Sequence, residues 1–381
     1  MPAPLPPSER SDIAPFYVME VMRAADERVR RGDEVLHLEV GQPSTPAPAA
    51  VRRAAHEALD ADVLGYTVAL GSEALRRRIS AHYADWYGLD VEPDRIVVTA
   101  GASAGCVLGF LAAFDPGARV AVSEPGYPCY RHMLTTFGVE VVPLAVDETT
   151  RFQPAPAQLR EVGPLDGIVV ASPSNPTGTM LRNAEMAELL AHCASERIRV
   201  FSDEIYHGIT FGQAAATAAV DPDAIVVNSF SKYFSMTGWR LGWLVLPEPL
   251  LTAVERLGQN LYIAPSTLSQ HAAIAAFDCH DELAGNVARY ARNRQILLDG
   301  LPRAGIDRLA PADGAFYIYA DVSALTDDST ALCARWLEEL GVAATPGIDF
   351  DPVRGSRFIR FSFAGRAEDM TEAVRRLESR R

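Results

Sequence analysis

Lysine is almost missing from this 381-residue chain: Lys232 is the only one, and the other permanently basic side chains are all arginine. An arginine-rich composition explains why lysines are scarce but not why one is kept. A guanidinium stays protonated, whereas a lysine amine can be made neutral and nucleophilic. A Schiff-base lysine is one place where arginine cannot substitute. Excess positive charge is missing too. The formal net charge is -14 and the pI about 5.1, which argues against nucleic acid or an anionic membrane as the main partner. The five cysteines (Cys106, Cys129, Cys193, Cys279, Cys333) are scattered, odd in number and form no CxxC pair. They read as free thiols of a reducing compartment. The eight histidines make no HExxH and no Cys/His cluster, so no metal site is expected. No apolar run approaches membrane-spanning length. Met1 to Arg10 is proline-rich and lacks the apolar stretch of a signal peptide. Together these absences lead to the expectation of a cytoplasmic protein.

What is present is a chain 48% hydrophobic and 22% charged, a composition that fits a globular protein of two domains or one large domain with a companion. Residues 1–11 read as a loose arm. Helical spacing follows over 15–31, and a short apolar strand over 35–40 stops at Gly41-Gln42-Pro43. Two more helices are expected over 48–61 and, capped by Ser72, up to Tyr87. From residue 94 the grammar becomes strand, loop, helix. Apolar strands are expected at 95–100, 118–123, 139–144, 167–171, 198–202, 224–228 and 241–246. Such alternation indicates an α/β fold with a mainly parallel seven-stranded sheet sandwiched by helices. The last third carries long helical patterns around strands at 316–321 and 358–363, and reads as a smaller α+β domain. The expected division is 1–44 for the arm and part of the small domain, 45–282 for the large domain and 283–381 for the rest of the small domain.

Asn175, Asp203 and Lys232 lie 28 and 29 residues apart, each just past the end of an expected strand. In an open parallel sheet those ends share one edge, where ligands bind. An amide, a carboxylate and the sole lysine therefore meet in one crevice. The Gly101–Gly105 turn opens there too, and its backbone N–H groups with the following helix start suit a phosphate. These parts suit pyridoxal phosphate. An aldehyde needs an amine, a pyridine nitrogen keeps its proton beside a carboxylate, and a phosphate needs arginine, hydroxyls and N–H groups. Plainer roles exist for each: a helix N-cap for Asp203, a turn former for Asn175 before Pro176, loop packing for Tyr127, an outward surface arginine for Arg360.

Ser-Asn-Pro-Thr-Gly at 174–178, Asp-Glu-Ile-Tyr at 203–206 and Ser-Phe-Ser-Lys continuing to Gly-Trp-Arg at 229–240 stand in order along the chain. In these motifs the chain resembles the class I/II aminotransferases of the fold-type I pyridoxal phosphate-dependent superfamily, over nearly its whole length. The resemblance implies pyridoxal phosphate as cofactor and Lys232 as the Schiff-base lysine that also moves the substrate proton. It implies Asp203 against the pyridinium nitrogen, Asn175 and Tyr206 on the phenolic oxygen, and Tyr127 stacked on the ring. Ala102, Ser103, Ser229, Ser231 and Arg240 fall at the phosphate, and Arg360 with the Gly41 backbone at the substrate carboxylate, where Asn175 also lies. Tyr66 would reach a neighbour's phosphate, which implies a homodimer with shared sites.

The activity so implied is ping-pong transfer of an amino group from an L-amino acid to a 2-oxo acid. A lyase of the same fold, such as a C–S β-lyase, is the alternative. Residues 259–264 contain no arginine, and Ser103 stands where one type of dicarboxylate-specific relative places a lysine. Strict aspartate specificity is therefore not expected. Phe16, Tyr17 and Tyr262 are candidates for a pocket favouring a neutral or aromatic donor.

Overall fold

The computed structural model describes residues 5–379; residues 1–4 of the expected arm lie outside the described residues. At its centre is a seven-stranded sheet in the order Ile96–Thr99, Gly242–Val245, Ile225–Ser229, Arg199–Asp203, Gly167–Ala171, Arg119–Glu124, Glu140–Ala145. Gly242–Val245 runs antiparallel to both neighbours, and the other pairings are parallel. Inner strands such as Gly167–Ala171 and Ile225–Ser229 are buried at consecutive positions because both faces are covered, whereas the edge strand Glu140–Ala145 exposes Glu140, Pro143 and Ala145. Val169, Phe201 and Val227 belong to one buried cluster, whereas Ile168, Val170, Val200 and Val226 belong to the other. Side chains alternate across a strand, so each face receives every second residue.

A second sheet has four strands, Thr345–Pro346, Phe358–Ser362, Tyr317–Asp321 and Arg308–Leu309, all antiparallel. The helices Ser329–Leu340 and Ala367–Glu378 accompany it. The strand expected at 35–40 is shorter than its apolar run. Only Leu36–His37 pairs, in parallel with Val342–Ala343. Beyond it the Leu38 carbonyl accepts from Ser362 N at 2.7 Å and the Glu39 carbonyl from Thr345 Oγ1 at 3.0 Å. The backbone there is consumed by irregular bonds, and the chain is led on to Gly41.

Ser72 caps the helix Glu73–Tyr87, accepting from Leu75 N at 3.4 Å. The helices Pro128–Thr136 and Leu251–Leu261 were not anticipated. The first is nine residues long and buries only Pro128, Tyr130 and Leu134, too few for a periodic signal. Among the described residues, no helix is long and apolar enough to cross a membrane.

Candidate active site

The carboxyl ends of the parallel strands share one edge, and the antiparallel strand begins there. Gly242 is in register with Thr99 on one side and Ser229 on the other. That register sets Arg240, two residues earlier, between the Gly101 turn and the Ser229–Lys232 segment. A Cβ on Gly101, whose φ is +81°, would come within 2.6 Å of Arg240 Nη2. The positive φ favours glycine there, and a Cβ would push the Arg240 guanidinium away from the turn. The helix Gly101–Ala113 starts at this point with no side-chain cap, so its first N–H groups are available to an anion. Ser229 Oγ donates to Ser231 Oγ at 2.9 Å. Arg240 Nη1 donates to the Thr237 carbonyl at 2.9 Å, and among the described residues the rest of its fork has no hydrogen-bond partner.

Lys232 sits in a cavity of about 240 Å3 that Ala102, Ser103, Tyr127, Asn175, Asp203, Tyr206, Ser229, Ser231, Arg240, Arg360 and Gly41 all line. Every residue expected at the cofactor or the substrate carboxylate except Tyr66 is therefore brought together. Tyr66 is 83% exposed and stands apart from the cavity of its own chain. Lys232 Nζ donates to the Gly41 carbonyl at 2.6 Å. Burial, and then the charges of Arg360 and Arg240, pull its amine down to about 8. Losing water disfavours the ammonium, and two guanidinium groups repel it.

Asp203 is pushed the other way. Burial raises its carboxyl to about 6, while Tyr130 and the Ile205 N–H work against that shift. It accepts from the Tyr130 hydroxyl on one oxygen and from Ile205 N at 3.1 Å on the other. At neutral pH it still favours the carboxylate, the form that would hold a protonated ring nitrogen. Glu204 beside it faces away, accepting from Ala218 N and Thr217 Oγ1, each at 2.7 Å. It pins the loop after the strand. His207, pushed down to about 4 mainly by burial, bonds Tyr87 at 2.7 Å and the Ser172 carbonyl at 3.0 Å. A neutral ring there braces the segment leading to Asn175.

Arg360 comes from the other sheet. It is buried and donates through Nη1 to Asn175 Oδ1 at 2.9 Å and through Nη2 to the Glu39 carbonyl. Its Nε is buried and has no partner among the described residues, a cost that a bound carboxylate would relieve. The guanidinium lies 4.5 Å from the Tyr317 ring centre and 4.8 Å from that of Phe350. Because Arg360 occupies Asn175 Oδ1, the amide nitrogen is the end of Asn175 left to donate.

Two contributors were not foreseen. Tyr130 reaches Asp203, and its signal was a tyrosine three residues after Tyr127 behind a helix-starting proline. Tyr317 bonds the Tyr206 hydroxyl at 2.7 Å. It lies 111 residues beyond Tyr206, and nothing local marks it. A third feature concerns the cavity wall. Phe16, Val18, Met19 and Met22 from the helix near the N-terminus, with Cys129, Met133 and Ile205, give it an apolar side. Of the pocket residues expected from sequence, only Phe16 lines it. Tyr17 turns to the groove between its own helix and Ser329–Leu340, because successive helical residues diverge by about 100°. Tyr262, half-buried, packs instead against the apolar cluster that contains Leu108, Phe110, Leu246 and Val254.

A lysine at the carboxyl edge of a sheet with this strand order, beside an anion cradle, defines the fold of the aminotransferases. The sequence profile of the family "Aminotransferase class I and II" matches residues 33–377, and the chain belongs to that family. It is 52% identical over 376 residues to the valine–pyruvate aminotransferase of Mycobacterium tuberculosis, with 97% of each chain covered. It is 32% identical over 371 residues to the aspartate/prephenate aminotransferase of Thermus thermophilus, with 95% of each covered. Among solved structures, an aminotransferase from Mycobacterium tuberculosis superposes with a TM-score of 0.97 at 51% identity over 99% of both chains. The Thermus thermophilus aspartate aminotransferase with maleate gives 0.92 at 29% identity, over 98% of this chain and 99% of that one. The protein is thus a transferase enzyme. Its family generally uses pyridoxal phosphate, and its relatives act on amino and keto acids. These relatives do not favour the lyase alternative.

Proposed function

We propose that the protein is a pyridoxal phosphate-dependent aminotransferase that moves the amino group of a neutral, apolar L-amino acid to a 2-oxo acid by a ping-pong route. The observation that carries the reading is the sole lysine, its amine lowered to about 8, set between a buried carboxylate and a buried arginine. The donor set suits cofactor and substrate in turn: an uncapped helix start with a glycine that admits Arg240 suits the phosphate, and an orphaned guanidinium nitrogen on Arg360 suits the substrate carboxylate. When bound, pyridoxal phosphate supplies an aldehyde that condenses with amines and a ring that accepts electrons.

The chain's own residues supply the rest. Arg360 grips the substrate α-carboxylate, helped by Asn175 and the Gly41 backbone, and so fixes which Cα bond faces Lys232. Lys232 Nζ, once neutral, takes the Cα proton and returns one. The Gly41 carbonyl, which accepts from Nζ now, holds the amine near that position. Asp203 keeps the ring nitrogen protonated, and Tyr130 keeps Asp203 in place. Tyr206 and Asn175 donate to the phenolic oxygen, and Tyr127 covers the ring. Ala102, Ser103, Ser229, Ser231 and Arg240 hold the phosphate. Tyr66 serves a second copy in a homodimer with shared sites.

Donor preference follows from the apolar wall, which offers no cation to a distal carboxylate. The name of the 52% identical relative, valine–pyruvate aminotransferase, supports an aliphatic donor and a pyruvate-like acceptor. The test mixes the holoenzyme with single amino acids and no acceptor. Release of the matching 2-oxo acid from valine, leucine or methionine, and far less from aspartate, supports the reading. A preference for aspartate would overturn the donor assignment. Continuous pyruvate and ammonia without an acceptor would move the enzyme to the lyases.

A further inference from the structure

The helix Tyr17–Arg30 forms the apolar wall with its first turn, yet its two ends are held by different means. Its later turns pack through Ala25, with Val21 and Ala24, against Leu337 and Ala343. Arg28 there pairs with Glu338 at 2.6 Å. The first turn has no cap of its own: Phe16 stands at the N-cap position and contributes no side-chain bond. Its N–H groups are met from the far end of the sequence. Asp349, 1% exposed, accepts from Tyr17 N at 3.2 Å on one oxygen and from Val18 N at 3.3 Å on the other. The Asp349 carbonyl takes a bond from Arg131 Nη2 at 2.7 Å, and Arg131 belongs to the helix that also carries Cys129, Tyr130 and Met133. One residue on, the Phe350 ring lies under Arg360. Phe16 meets the Tyr127 ring edge-on at 5.9 Å. Asp349 thus joins the helix over the cavity, the helix behind it and the turn beside the carboxylate-binding arginine.

We propose that Asp349 is a positioning residue. It seats the first turn of the Tyr17–Arg30 helix over the donor side chain and thereby sets how tightly donors longer than alanine are held. The inference rests on the aminotransferase reading for its substrate. A substituted amino acid reaches Met19, Met22 and Phe16, whereas the methyl group of alanine is too short to depend on them. Loosening the turn therefore weakens long donors selectively.

The experiment compares wild-type, Asp349→Ala and Asp349→Asn holoenzymes. KM and kcat are measured for alanine and leucine, and amide hydrogen exchange is followed along residues 17–30. Asp349→Ala is expected to raise the leucine KM about five- to thirtyfold, the upper part of the range, about 1–2 kcal/mol, that loss of a helix cap produces. The alanine KM should move by about twofold or less, with kcat little altered. Asp349→Asn keeps one acceptor oxygen and falls between. Exchange should accelerate at Tyr17 and Val18 but not at Arg28–Arg30, where the apolar cluster and the Glu338 pair persist. An equal shift in the KM of both donors would overturn the proposal, as would unchanged exchange at Tyr17 and Val18. If wild-type enzyme transaminates neither donor, the aminotransferase reading fails, and the exchange arm still decides whether Asp349 seats the turn.

Discussion

At the scale of single residues, the chemistry turns on how little water Lys232 and Asp203 see. Desolvation moves an amine down and a carboxyl up, and here it brings the two toward each other, to about 8 and about 6. Only the neutral amine attacks an aldehyde, so capture of pyridoxal phosphate by the apo-protein should quicken as pH rises. The rate should level off above about 8; a midpoint near the ordinary lysine value would contradict the assigned environment. The buried ion pair that Arg360 would form with a substrate carboxylate gives a second test. Arg360→Lys loses the planar two-point grip and should raise the donor KM roughly a hundredfold, about 2–3 kcal/mol, as read by steady-state kinetics. Gly41 supplies a third. A Cβ there would fall on the Tyr317 hydroxyl, which bonds Tyr206. Gly41→Ala should therefore displace Tyr317, Tyr206 and the carbonyl that Lys232 uses, and lower kcat/KM by about a hundredfold.

At the scale of elements, the helix Gly101–Ala113 brings its uncapped start to the phosphate position because it lies unusually close to the sheet. Gly105 faces Val227 and Gly109 faces Phe201; a Cβ would approach those side chains to 2.9 Å and 2.6 Å. Gly109→Val should cost about 1–3 kcal/mol through overpacking, visible as a lower thermal midpoint, and should also weaken cofactor binding as the helix start is lifted. Most strands were legible in sequence because burial on both faces leaves consecutive apolar residues at their centres, as at Ile168-Val169-Val170 and Ile225-Val226-Val227. The helix Pro128–Thr136 was not, because nine residues with three buried positions give too short a period. Tyr130 was missed with it. The 35–40 strand was read too long because apolar composition does not reveal where backbone bonds leave a ladder.

At the scale of the whole molecule, the site is assembled from segments far apart in the chain. Arg360 reaches Asn175 across 185 residues, and Asp349 reaches Tyr17 across 332. Motifs near strand ends declare themselves because topology brings every such end to one edge. Tyr317 and Asp349 do not, since their partners are set by how the second sheet docks, and no local pattern encodes that. Tyr66 belongs to this scale as well. If it serves a second copy, Tyr66→Phe should weaken pyridoxal phosphate binding while leaving the assembled mass, measured by sedimentation, unchanged.

The central claim is that Lys232 carries the cofactor. Borohydride reduction of the holoenzyme converts a Schiff base into a stable secondary amine, and peptide mass mapping then locates it. Because the chain has one lysine, the result is unambiguous. The account predicts a reduced pyridoxyl phosphate adduct on the peptide containing Lys232, together with loss of the visible absorbance band. No adduct, or an adduct confined to the α-amino terminus, would contradict it.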